Sequence, residues 1–254
     1  LGKSLNRGEA INLGLDRATG AYVGCLDDDD WLLPNHVSVL MNALTGSNSA
    51  NAAYSGVICR QENPDGSWKT MRIYNEPYDP VRLLIENYLP IHAVLFSRSL
   101  LGPDLRCDES LVVYEDWDLW IQLSLLTDFI HVDILTAVYR ISSSSGFGVV
   151  DGGTRALKGL QAILEKWRAK WTIDQLVDLS LYHNRQLQIA RADVAQLNQE
   201  LNHAQSECKK AVVELDSARS AASSAQAEVE KMHLQLTSYS IATGLHMASY
   251  SLAT

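Results

Sequence analysis

Cysteine, cationic residues and long apolar runs are all scarce in this sequence. Its four Cys, at positions 25, 59, 107 and 208 of 254, sit far apart with no paired spacing. That excludes a disulfide framework and a Cys-ligated zinc site, and it suits a reducing compartment. Lys and Arg number 21 against 30 Asp and Glu, for a net charge of −9. A chain so poor in cations is a weak binder of phosphate backbones, so no nucleic-acid partner is expected. No apolar run approaches the ~18–20 residues that cross a bilayer. The sequence has neither a G-x-G-x-x-G nor a G-x-x-x-x-G-K-[ST] phosphate loop. It also lacks the G-x-S-x-G elbow of serine hydrolases. The seven His show no metal-ligand spacing, and His92 and His131, in apolar strands, read as core histidines. Leu1-Gly2-Lys3 has neither an initiator Met nor a leader before it, and reads as the start of an N-terminally incomplete piece.

What is present divides into two parts. All six Pro precede Asp104, all six Trp lie at or before Trp171, and from His183 to Ser238 there is no Gly, Pro, Phe, Tyr or Trp. The first part alternates helix and strand. Ile11, Leu15 and Ala18 form a helical stripe, with Gly20 placed to end it. Tyr22–Leu26 reads as a short strand. Pro34 opens a helix bearing Val37, Leu40, Met41 and Leu44. Ala52–Cys59 and Trp68–Tyr74 flank an Asn63-Pro64-Asp65-Gly66 turn. Ala93–Ser97 reads as extended, Trp117–Leu126 as helix and Phe129–Ile141 as strand. The alternation predicts an α/β sandwich with a mostly parallel sheet. In the second part, fifteen positions from Leu187 to Leu236, spaced alternately by three and four, are all apolar. This 3.5-residue period predicts a coiled coil, which would span about 75 Å at the helical rise.

Two acidic segments could carry chemistry. Asp27-Asp28-Asp29-Asp30 follows an apolar strand and precedes Trp31. On extended backbone Asp27 and Asp29 would point the same way. Four adjacent carboxylates repel unless a cation screens them, and oxygen-only ligands suit Mg²⁺ or Mn²⁺. The carboxyl end of a strand in an open α/β sheet is also where ligands bind. The bland alternative is a solvated turn capping the next helix. The second segment is Tyr114-Glu115-Asp116-Trp117-Asp118-Leu119-Trp120. Acids are favoured in a first helical turn by the helix dipole. The Trp residues could equally wall a pocket that raises a carboxylate pKa toward general-base use. Composition does not choose between the two. Asp108 and Glu109 read as a turn.

These residues resemble a known family. Asn6-x-Gly8, Ala10-Ile11-Asn12-Leu13-Gly14, Ala18-x-Gly20-Ala21-Tyr22-Val23, the LDDDDW run from Leu26 and Pro34 are similar, in order and spacing, to the middle of a family-2 glycosyltransferase with the GT-A fold. Cys107–Leu111 followed by YEDWDLW from Tyr114 resembles that family's later acidic motif. The resemblance covers about residues 1–145. It implies that Asp29 and Asp27 hold a divalent metal, Mn²⁺ or Mg²⁺. It implies donor-binding roles for Asp27 and Asn12, a catalytic base at Asp116 beside Glu115, and an acceptor site shaped by Trp117 and Trp120. Three departures stand out: the family's first strand-helix-strand unit is absent, the Arg common before Asn12 is Ile11, and no His follows Arg140-Ile141, where a run of Ser begins.

The expectation is therefore a partial GT-A domain over residues 1–150, a helical connector over 151–182 whose Trp167 and Trp171 pack on that domain, a coiled coil over 183–238 and a tail over 239–254. The resemblance implies inverting transfer of a sugar from a nucleotide-sugar donor to a glycan or lipid-linked acceptor in surface polysaccharide synthesis. The scattered cysteines suit the cytoplasm, or the inner face of the membrane in peripheral association with membrane machinery, and the heptad pattern predicts a homo-oligomer through the coil, or docking of the coil onto a partner in a polysaccharide pathway. Two other readings stay open. One is a coiled-coil scaffold with an inert transferase remnant. The other is a carboxylate-pair glycoside hydrolase, with Asp29 and Asp116 facing one sugar and no metal between them.

Overall fold

The computed structural model describes residues 4–47, 49–141 and 153–243, with side chains to 240. The Ser run after Ile141 and the tail beyond 243 lie outside the described residues. The chain divides into two compact units, Leu1–His183 and Asn184–Thr254.

The first unit opens with helix α1, Arg7–Arg17. Its start is a capping box. Asn6 accepts from the Glu9 backbone N–H and the Glu9 carboxylate accepts from the Asn6 N–H, both at 2.8 Å. The helix ends when Ala18 turns extended, so Gly20 is not the terminator expected. Strand β1 (Tyr22–Gly24) and the two-residue β2 (Trp31–Leu32) flank the acidic run. Helix α2, His36–Thr45, buries His36, Leu40 and Leu44. Val37 and Met41 of the expected stripe face outward instead. A polar residue holds the inner position because His36 Nδ1 lies 2.8 Å from Thr136 Oγ1, which in turn is 2.6 Å from Ser55 Oγ. Burial, followed by repulsion from His92, holds the His36 pKa down to about 4, so its ring is neutral.

Strands β3 (Ala52–Glu62) and β4 (Trp68–Tyr74) form the expected hairpin, and Gly66 takes φ +80° in its turn. The short helix α3 (Pro80–Leu83), strand β5 (Val94–Ser97), helix α4 (Glu115–Ser124), strand β6 (Phe129–Ile141) and helix α5 (Thr154–Trp167) follow. The sheet order is β1-β5-β3-β6-β2, with β4 also on β3. Among the described residues only β3 and β6 run parallel; every other pair there is antiparallel. This corrects the mostly parallel sheet expected. A tight turn forces β3 and β4 antiparallel, and β5 enters from a 3-10 turn at Ile91–Ala93 rather than from a crossover helix.

Alternate strand residues feed two layers. Ala53 and Leu95 meet Leu40 and Leu44 of α2 on one face. Ala52, Tyr54 and Phe96 join the larger core with Trp117, Trp120 and Phe129 on the other. Ile163 and Trp167 of α5, and Leu179 of the following helix, are buried in this same core, and Trp171 packs against it. The expected connector is thus part of the first unit, because its apolar face fills the core behind α4. Helix α6 runs unbroken from Ile173 to Thr243. In the second unit its side chains are exposed as far as Tyr239.

Candidate active site

The acidic run is a turn rather than the extended segment expected, closed by the Asp30 N–H donating to the Asp27 carbonyl at 3.3 Å. Folding back gathers carboxylate oxygens of Asp27, Asp29 and Asp30 within 4.8 Å of one another. Alternation is not what brings Asp27 and Asp29 together, and Asp28 stays outside the group. Asp30 is buried. Its Oδ1 accepts from the Arg140 N–H at 2.8 Å, while its Oδ2 lies 2.9 Å from His92 Nδ1 without hydrogen-bond alignment. Burial followed by the charges of Asp30 and Asp116 raises the Asp27 carboxyl pKa, against the pull of Arg7.

The second acidic segment opens α4. Tyr114 takes a left-handed conformation, φ 67°, and turns the chain into the helix at Glu115. Asp116, half-buried, accepts from Asn87 Nδ2 at 3.1 Å and from the Trp117 N–H at 2.7 Å. Burial raises its pKa, with Arg7 opposing. Glu115 is buried, and desolvation together with the Asp116 charge lifts it to about 6 despite Arg7.

One guanidinium ties the two segments. Arg7 Nη2 lies 2.8 Å from Asp27 Oδ2, and its Nε lies 2.7 Å from Glu115 Oε1. Although burial works against its charge, the acids around it hold the Arg7 pKa above the ordinary value. Beside it opens a cavity of about 330 Å³ lined by Arg7, Ile11, Leu15, Val23, Cys25 and Asp27. The Cys25 thiol is pushed up to about 11 by burial, then by Asp27 and Asp116, so it is no nucleophile at neutral pH.

Residues 2–102 match the family description "Glycosyl transferase family 2". This region belongs to glycosyl transferase family 2. An uncharacterised glycosyltransferase of Methanocaldococcus jannaschii is 24% identical over 121 residues, 47% of this chain and 41% of that protein. S. aureus TarS 1–349 in complex with UDP is similar at 18% identity and a TM-score of 0.41, over 54% of this chain and 40% of that one. The same protein in complex with UDP-GlcNAc is similar at 16% identity and a TM-score of 0.43, over 56% and 41%. The chain thus spans only about two fifths of the length of these relatives.

Within the family-2 region and the α4 segment that follows, the structure brings together Asp27, Asp29, Glu115 and Asp116. It corrects three expectations. Asn12 does not reach toward a donor. It is buried, with its Nδ2 donating to the Cys107 carbonyl at 2.9 Å and to Glu109 Oε1 at 3.0 Å, and its Oδ1 accepting from the Cys107 N–H at 2.9 Å. Its work is to fasten α1 to the loop before α4. Trp117 and Trp120 do not shape an acceptor surface. They are 2% and 0% exposed, and their indole N–H groups donate to the carbonyls of Leu83 and Leu89 at 2.6 and 2.9 Å. Two Trp in one helical turn mark a core when both indoles find backbone partners.

Sequence reasoning missed Arg7, Asp30, Asn87 and His92. Arg7 had a signal. The cation absent at Ile11 is present one turn earlier on the same helix face. Asp30 could have been found as the fourth acid of the run, whereas Asn87 and His92 carry no local mark.

Proposed function

We propose that the family-2 region transfers a sugar from a nucleotide-sugar donor to a hydroxyl of a glycan or lipid-linked acceptor. The reading includes metal dependence, inversion at the anomeric carbon and a place in surface polysaccharide synthesis. The observation that supports it is the bridge from Arg7 to both Asp27 and Glu115, which ties the two acidic segments to one cation.

The donor set suits Mn²⁺ or Mg²⁺. It consists only of carboxylates, and one buried oxygen, Asp30 Oδ2, has no hydrogen-bond partner. Asp29 and Asp27 would hold the ion, with Asp30 behind them. When bound, it would neutralise charge on the diphosphate leaving group. The chain's own residues supply the rest. Asp116 accepts the proton of the acceptor hydroxyl as that oxygen attacks, and Asn87 holds the receiving carboxylate in place. Arg7 keeps Glu115 ionised beside it despite burial and offers a cation at the cleft. The four free thiols support a cytoplasmic setting, extending to the inner face of the membrane. Among the described residues no helix is long and apolar enough to cross a membrane.

The test incubates the full chain with Mn²⁺ and a panel of nucleotide sugars and follows nucleoside diphosphate release. Asp116→Asn is expected to lower turnover by about 10²–10⁴-fold, the usual worth of a positioned base. Asp29→Ala should abolish the Mn²⁺ requirement together with activity. Turnover unchanged in both variants refutes the assignment. The anomeric configuration of the product, read by NMR, decides inversion.

A further inference from the structure

We infer that the apolar stripe of α6 binds the same stripe of a second copy of this chain, parallel and in register. The seam positions Leu187, Val194, Leu201, Leu215, Val229 and Leu236 are each 55–68% exposed on the isolated helix. A straight α-helix drifts about 20° per heptad against a seven-residue repeat. Seven heptads of drift would carry the stripe well around the helix, so a stripe kept strictly in register is matched to a supercoil with a partner helix. That partner has to cover it along its whole length.

The charges beside the seam identify the partner. One flank, the position just before each seam residue of the first register, carries Asp193, Glu200, Glu207, Glu214 and Glu228, with Gln186, Ala221 and Gln235 at its other three places. The other flank carries no acid; its ionisable residues are Arg191, Arg219 and His233. In a parallel pair each flank of one helix faces the opposite flank of the other, offset by five residues. Glu214 then meets Arg219 of the second copy, Glu228 meets His233, and the remaining acids meet neutral side chains. In an antiparallel pair the acid flank faces itself, and five carboxylates oppose five. The helix offers no general relief from that repulsion. Of the flank acids, Glu207 has a cation on its own helix, Lys210 at 2.8 Å. A second copy aligned in parallel is therefore the occupant that this pattern complements.

The second register favours two copies over three. It is mostly Ala: Ala190, Ala204, Ala211, Ala218 and Ala225. Small side chains let two helices approach closely, whereas three around one axis would leave a void at every such layer.

The test uses the full chain with Cys208→Ala, because Cys208 lies near the middle of the seam and would approach its copy in either orientation. Sedimentation equilibrium should give twice the chain mass. Ala190→Cys in this background, oxidised with diamide, should become a covalent dimer on a non-reducing gel, while the Cys208→Ala parent stays uncrosslinked. A monomer in the centrifuge overturns the inference. So does an Ala190→Cys chain that fails to crosslink with itself but does crosslink when mixed with a Val229→Cys chain, the antiparallel result.

Discussion

Gly159 of α5 sets helix propensity against packing, and the structure decides the sign. In a helix interior Gly is roughly 0.5–1 kcal/mol worse than Ala, so propensity alone predicts that Gly159→Ala stabilises. A Cβ at Gly159 would sit 2.2 Å from Val113 Cγ2 and 2.9 Å from Tyr114 Cδ2. Val113 can swing aside at a rotamer cost. Tyr114 has less freedom. Its ring packs edge-on against Trp117 at 5.4 Å, and its backbone is held at φ 67°, a conformation that costs a non-Gly residue energy. Overpacking of this kind costs about 1–3 kcal/mol. We expect Gly159→Ala to destabilise the first unit by about 1 kcal/mol net, lowering Tm by about 2–4 °C. Gly14 in α1 is the matched control. A Cβ there meets nothing within 4 Å, so Gly14→Ala should stabilise by about 0.5–1 kcal/mol. Tryptophan fluorescence reports the first unit selectively, since all six Trp lie within it. Tyr114 directly precedes Glu115 and Asp116, so displacing it should also slow turnover, by up to about 10²-fold for a 1 Å shift. If Gly159→Ala proves as stable as the parent, α5 does not press on the α4 entry and the reasoning fails.

Other outcomes follow from the same site. The Glu115 carboxyl has a pKa of about 6 in the folded protein against an ordinary 4.5. It holds its proton more tightly when folded, so its contribution to stability is full below pH 4.5 and is lost as pH rises through about 6. Glu115→Gln should therefore gain about 2 kcal/mol at pH 7.5 and nothing at pH 4 in urea titrations; equal gains at both pH values contradict this. The raised pKa of the Asp116 base should give turnover a limb that rises with pH, and Asn87→Ala should move that limb upward by removing a donor to the charged carboxylate; a limb that stays in place contradicts this. Lys166→Met should cost about 2–3 kcal/mol. It strips the cation from Asp118, which is 0% exposed and keeps only Trp167 Nε1 and Gln122 Nε2 as side-chain donors.

Strongly periodic or locally punctuated segments were legible in advance. Phe129–Ile141 is strand over the residues expected, because a β-branched run of that length has no helical face. The hairpin follows from Asn63-Pro64-Asp65-Gly66, whose Gly accepts the left-handed turn. The continuous helix through residues 183–238 follows from the absence of any breaker. The acid pairs were visible as residue types, but their companions were not. Arg7 reads as a solvent-facing cation until α1 is laid beside β1 and α4.

The sequence by itself determined where most of the longer helices and strands form, which carboxylates stand ready, and the seven-residue stripe of α6, because each is set by neighbours within a turn or a pleat. The tertiary structure alone decided strand direction, which side of α2 is core, and that Trp117, Trp120 and Asn12 are structural rather than ligand-facing. Those outcomes depend on partners far along the chain. Asn12 binds Cys107, Trp117 binds Leu83 and Arg7 joins Asp27 to Glu115. Local pattern carries no record of which distant carbonyl or carboxylate will satisfy a buried group.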